Sequence, residues 1–190
     1  MRLVAAGDTY TDMDKTLSYL NAIGQGIVVL AEGSLDTEDK QWQSIDPIVA
    51  LSSFWHMTII GEANGQIQQI NRGYLKRAQV YQSDYPDAFP WQDKARNLSY
   101  NQQQVKGVTR ICADCLLPHN AALDLLTISS SMDFSDRIDD IIDQFRFNDN
   151  AFIIQSHAHN GPDFIYSVKQ QAMVGQPVET ACGTYLVHEY

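Results

Sequence analysis

Two pairs of residues have the types and spacing that bind metals or exchange electrons. Cys112 and Cys115 are separated by Ala113 and Asp114 and followed by His119, and His157 and His159 are separated by Ala158. A Cys-x-x-Cys pair is half of a zinc knuckle or a redox dithiol, because thiolates are soft ligands and strong nucleophiles. A convincing zinc signature needs a second pair, and Cys182 stands alone. The alternation of Arg110, Cys112 and Asp114 with Ile111, Ala113 and Cys115 predicts a strand, on which residues three apart point to opposite faces. The thiols are therefore expected to be buried apart, sharing a metal only if a turn replaced the strand. No helix N-terminus is expected there to lower a thiol pKa, so a redox dithiol is not expected either. His157 and His159 share one face of any strand that carries them, opposite Phe152, Ile154, Ser156 and Ala158. On that more polar face they are either a metal pair or two exposed histidines.

The acidic residues Asp133, Asp136, Asp139, Asp140, Asp143 and Asp149 interleave with Ile138, Ile141, Ile142 and Phe145, which recur at i, i+3, i+4 and i+7. That pattern is the wet face of an amphipathic helix, with Ser135 as its cap. It lacks the ligand order of a calcium loop. No nucleophile elbow, phosphate loop or dinucleotide fingerprint occurs.

The elements that would position these groups are short. Thr11 and Asp14 open a helix through Met13, Leu17 and Leu20, and Ile27-Val28-Val29-Leu30 reads as a strand buried on both faces. Residues 32–46 read as a connector. Phe54 to Ile60, the Asn64-Gly65 bend and Gln66 to Ile70 form a hairpin, with a helix following from Arg72. Asp93 to Gln104 is expected to be helical, and Thr109 to Leu117 and Leu123 to Ser129 to be strands. Phe152 to His159 and Phe164 to Lys169 make a second hairpin around Asn160-Gly161, and Thr184 to Glu189 a last strand. Helices and hairpins interleave without a βαβ rhythm. The expected class is α+β, an antiparallel sheet flanked by helices. The expected segments are 1–45 (helix and strand), 46–132, and 133–190 (helix and hairpin), all compatible with one domain.

Composition narrows the partners. With 13 Lys and Arg against 23 Asp and Glu, the 190-residue chain carries a formal charge of −10, which disfavours nucleic acid or anionic lipid as a partner. An apolar fraction of 44% supplies a core, and no apolar run reaches membrane-spanning length. The start, MRLVAAGDTYTD, turns polar too early for a signal peptide, and three cysteines make no disulfide framework. A cytoplasmic protein is expected.

The middle of the chain resembles a PAS sensory domain over roughly residues 50–130. Gly65-Gln66-Ile67-Gln68-Gln69-Ile70-Asn71 has the Gly-x-Ile-x-x-x-Asn spacing of that family, followed by Ser83-Asp84-Tyr85, Pro90-Trp91, Ala95 and Val105. The resemblance implies a PAS-like, helix-flanked sheet that binds a small molecule or protein partner without doing chemistry. Trp55, Met57 and Ile59 on one strand, and Ile111, Ala113 and Cys115 on another, would line its pocket. The amphipathic helices at Met13–Leu20 and Ile138–Phe145 would be its dimer or partner surfaces. Neither the flavin motif of the light-sensing branch nor a haem-binding His on the longer helix is found, so the sequence names no cofactor. Separately, His157-Ala158-His159 with Ser167 is similar to the JAMM metalloproteases, though Gln170 stands where that family carries a carboxylate. The expected function is a regulatory, signalling domain. The alternatives are a metal-dependent hydrolase using His157 and His159, or an acidic inhibitor of a basic partner.

Overall fold

Short apolar runs become the first parallel strands of one of two sheets. The computed structural model describes residues 2–7, 14, 26–31, 48–54, 57–61, 67–72, 95–100, 103–130, 132–158, 161–181 and 183–190. The first sheet comprises β1 (Arg2–Ala6), β2 (Gly26–Leu30), β3 (Ile48–Phe54), β4 (Met57–Gly61), β5 (Ile67–Arg72), β12 (Gln176–Thr180) and β13 (Gly183–Glu189). Its order is β12-β13-β1-β2-β3-β4-β5. The second comprises β6 (Arg96–Tyr100), β7 (Gln103–Ile111), β8 (His119–Ser130), β9 (Phe145–His157), β10 (Phe164–Ser167) and β11 (Ala172–Val174), in the order β11-β10-β9-β8-β7-β6.

In each sheet three central strands are parallel: β1, β2 and β3 in the first, β7, β8 and β9 in the second. The outer pairings are antiparallel. Parallel strands covered on both faces need continuous apolar sequence. Ile27-Val28-Val29-Leu30 supplies it, and every residue of β2 is buried, as its sequence predicts.

The two sheets pack face to face through Leu3, Ala5, Ile27 and Val29 from the first and Val105, Leu125, Phe152, Ile154 and Ile165 from the second. The alternate residues Val108, Leu126, Ile128 and Ile153 face the other way. They are covered by the segments that carry the chain back between parallel strands, through Cys112, Cys115, Phe134, Ile138 and Ile141.

The expected PAS-like, helix-flanked antiparallel sheet is therefore incorrect. Parallel cores in two stacked sheets replace it, and apart from the helical Asp14 the α-helix among the described residues is the five-residue α1 (Ile138–Ile142). Residues 93–104, expected to be helical, contain β6 and the start of β7, paired from Arg96↔Gly107 to Tyr100↔Gln103. Ladder hydrogen bonds offered by β7 override a weak local helix preference. The strand read at 54–60 divides into the end of β3 and the start of β4, which fold back with Phe54 opposite Met57. Trp55 falls between them, outside the described residues, so Trp55, Met57 and Ile59 do not sit on one strand. The antiparallel pairing of residues 57–60 with 67–72 is as expected; Asn71 lies inside β5 opposite Thr58, and the helix expected to follow Arg72 lies outside the described residues. The Asn64-Gly65 bend, the Pro90-Trp91 segment and the helix at Met13–Leu20, apart from helical Asp14, lie outside the described residues.

The late amphipathic helix forms, but is shorter than its pattern. Ser135–Arg137 is a 3-10 turn and Phe145 already belongs to β9. Ser135 does not cap through its side chain; its N–H donates instead to Asp133 Oδ1 at 2.8 Å. The aspartates flanking α1 are exposed, as the pattern requires. No helix among the described residues is long and apolar enough to cross a membrane.

At the end of β13, His188 packs against Phe152 and Tyr190, with centroids 5.2 and 5.9 Å away, in a three-ring cluster. Burial pushes the imidazole below its usual 6.5. The folded state thus resists a proton that the unfolded chain accepts, so this group's contribution to stability falls as pH drops below about 6.5. Urea unfolding at pH 7.5 and pH 5 should show that loss, and His188→Phe should reduce the difference between the two.

Candidate functional site

The space between the sheets changes character along the strands. Near the amino ends of β7, β8 and β9 its lining is Val105, Leu125 and Phe152; near the carboxyl ends it is Thr109, Thr127, Ser129 and Ser156, all buried. Thr127 Oγ1 donates to Thr109 Oγ1 at 2.8 Å, and Ser129 Oγ donates to the Leu30 carbonyl at 2.8 Å. Ser156 Oγ donates to the Val29 carbonyl and accepts from Ala6 N at 3.0 Å. The carboxyl ends of β1, β2, β8 and β9 therefore meet at one end of the sandwich, and β7 ends there too, with Ile111 beside Ser129. Crevices outside the carboxyl ends of parallel strands are where such folds build sites, because the loops there are free to carry functional groups.

A second clasp closes the same end. Asp163 accepts from Gly7 N through Oδ2 and from His157 N through Oδ1, each at 2.8 Å. Glycine is required at position 7, because a Cβ there would stand 2.2 Å from the His157 carbonyl oxygen. It is required again at Gly161, where a Cβ would lie 2.0 Å from His157 Nδ1.

The sharpest feature is Cys112. β7 stops at Ile111, and residues Cys112–Leu116 turn into a 3-10 helix. Cys112 has φ of +49°, a left-handed conformation that non-glycine residues adopt only where their surroundings hold them. Its side chain is 6% exposed, and Cys115 is fully buried in the same cluster. The strand alternation that was to separate the thiols thus ends at Cys112. The reversal at the corner overrides it, because the chain must leave the sheet and return to begin β8 parallel to β7.

Of the expected pocket residues, Ile111 ends β7 while Ala113 and Cys115 lie in the 3-10 turn, so these three do not share a strand face. His157 ends β9, but its face is not exposed: Ile153 and Gln155 on that side are fully buried, and Gln155 Oε1 accepts from Phe134 N. His157 Nδ1 is buried without a hydrogen-bond partner, and His159 lies outside the described residues. Among the described residues no three His, Cys, Asp or Glu side chains converge on a metal. Sequence reading missed Cys112 as a corner residue. The available signal was a β-rich run ending at Cys-x-x-Cys with Pro118 close behind, a stop rather than a continuation.

No protein-family model matches the chain, and no curated protein does. Solved structures do. An amidase from Nesterenkonia sp., a mutant bearing acrylamide added at its active-site cysteine, superposes with a TM-score of 0.62 at 11% identity, covering 100% of this chain and 93% of the amidase. A carbon–nitrogen hydrolase from Helicobacter pylori gives 0.62 at 12% identity, over 98% and 88% of the two chains. A CN-hydrolase superfamily protein from Xanthomonas campestris with an arsenic adduct in its active site gives 0.56 at 10%, over 92% and 86%. The chain thus has the fold of the carbon–nitrogen hydrolases. This overturns the PAS resemblance, and with it the signalling, non-enzymatic reading.

Ser156 ties two backbones across the sheets, so Ser156→Ala should strand a buried N–H and a buried carbonyl. A loss of about 1–3 kcal/mol in denaturant stability is expected. An unchanged midpoint would show that this clasp does not hold the end of the sandwich together.

Proposed function

We propose that this protein is a thiol-dependent hydrolase of carbon–nitrogen bonds, with Cys112 as nucleophile and a small amide as substrate. One observation carries the reading. Cys112 occupies a left-handed corner at the carboxyl end of a central parallel strand, where the interior turns from apolar to hydroxyl-lined, in the fold of amidases that include one with an active-site cysteine.

A cysteine attacking an amide carbonyl needs its proton removed and later returned to the leaving nitrogen. Among the carboxylates next in sequence to these strand ends, Asp163 is already engaged by two backbone N–H groups. Glu32 follows β2 by two residues, and the carbonyl of Leu30 is hydrogen-bonded to Ser129, the neighbour of Ile111. Asp8 follows β1, which lies across from β9 rather than from β7 and β8. Glu32 is assigned as the general base because it follows the strand whose end is tied to Ser129 beside Ile111. The Nesterenkonia amidase provides a parallel, since its glutamate mutants were characterised with acrylamide and fluoroacetamide adducts at the cysteine.

The reaction would proceed through a thioester. Cys112 Sγ attacks the carbonyl carbon, ammonia or an amine leaves with the transferred proton, and water activated by the same carboxylate releases the acid. Expected for Cys112→Ala is loss of ammonia release from small aliphatic amides to background. For Glu32→Gln a fall in kcat of about 10²–10⁴-fold is expected. Acrylamide should add to the wild-type protein at Cys112, as located by peptide mass spectrometry. Hydrolysis that persists in Cys112→Ala would refute the assignment.

A further inference from the structure

We infer that Cys112 and Cys115 form an oxidative modification site, closed to a disulfide by a hydroperoxide and reopened by thiols. Its consequence for activity rests on the assignment of Cys112 as nucleophile; the bond itself does not.

The geometry comes from the turn. In a 3-10 helix residues i and i+3 eclipse, three residues per turn, with a rise of roughly 2.0 Å each, so the two Cα atoms stand ~6 Å apart on one face. That spacing falls within the roughly 4.4–6.8 Å between the Cα atoms of a disulfide, and bringing the Cβ atoms to the roughly 3.5–4.5 Å it also needs takes a local tightening of the turn at left-handed Cys112. Cys112–Leu116 is such a turn, both thiols belong to one buried cluster, and neither is in a disulfide. On a continued strand the same residues would face apart; the corner at Cys112 is what brings them to one side.

The steps balance. The Cys112 thiolate attacks the hydroperoxide's terminal oxygen, the O–O bond breaks, and the sulfur becomes a sulfenic acid while the peroxide is reduced to water or an alcohol. The Cys115 thiolate then attacks the Cys112 sulfur, the S–S bond forms, and hydroxide leaves as water after taking a proton. Two electrons pass from the dithiol to the peroxide. Closure consumes the nucleophile, yet spares it from the sulfinic state that thiols cannot reverse.

The test uses the full chain carrying Cys182→Ser, to exclude other pairings, treated with hydrogen peroxide. Peptide mass spectrometry should find Cys112 and Cys115 linked with loss of two hydrogens, and dithiothreitol should restore both thiols. In Cys115→Ser, and separately in Cys115→Ala, Cys112 should be trapped by dimedone as sulfenic acid. It should then pass to sulfinic acid, and the activity recovered after reduction should fall several-fold below that of the parent. Sulfinic Cys112 beside an untouched Cys115 thiol in the parent protein would overturn the inference. A linked pair in a protein that hydrolyses no amide would uphold the modification site and count instead against the amidase assignment.

Discussion

The structure depends on the closure of its two sheets against each other at their carboxyl ends. A purely apolar interface would pack equally well with the sheets slid along one another, since hydrophobic contact is not directional. Ser129 and Ser156 remove that freedom by bonding the carbonyls of Leu30 and Val29 in the opposite sheet. Asp163 adds a third fixed point by holding the N–H groups of Gly7 and His157 together. Buried hydrogen bonds of this kind contribute modest net stability, but breaking one leaves an unpaired group and costs more. They therefore set register as much as they hold the sheets together.

Once that end is fixed, so is the place of Cys112. The parallel strands all deliver their following loops there, and β7 delivers Cys112 in a conformation that an ordinary strand continuation could not provide. The apolar half of the interior, from Leu3 and Ile27 to Phe152, supplies the mass of the core. The hydroxyl-lined half supplies polar groups that are already satisfied. Cys112 stands at this end of the second sheet, packed in the cluster that covers that sheet's outer face. The outer face of the second sheet contributes as well, because the return segments that cover it carry Cys115 and α1 to the same corner.

Misreadings of the sequence share a cause. A period of two was visible at Arg110–Cys115 and was extended past the point where the chain turns. The turn is dictated by the need to return and pair β8 parallel to β7 from Gly107↔Leu125 onward, which no local residue announces. Likewise, residues 96–107 form a hairpin because β7 offers a free edge, whereas their own composition is compatible with a helix. The Gly-x-Ile-x-x-x-Asn spacing did mark a hairpin, but hairpins at sheet edges occur in many architectures. The spacing could not reveal that this one closes the edge of a mixed sheet with a parallel centre.

What the sequence determined by itself was local: the fully apolar Ile27–Leu30 strand, the exposed aspartate face around Ile138 and Ile141, the Phe152–Ser167 hairpin, and the presence of two thiols three residues apart. Each follows from side-chain periodicity or from turn chemistry within a few residues. Tertiary structure alone decided that β1 and β2 lie across from β8 and β9, that Ser129 and Ser156 find carbonyls around a hundred or more positions away in sequence, and that Cys112 stands at a corner instead of within a strand. Those outcomes depend on pairings between distant segments, whose energies come from burial and hydrogen bonding available only once both partners are in place.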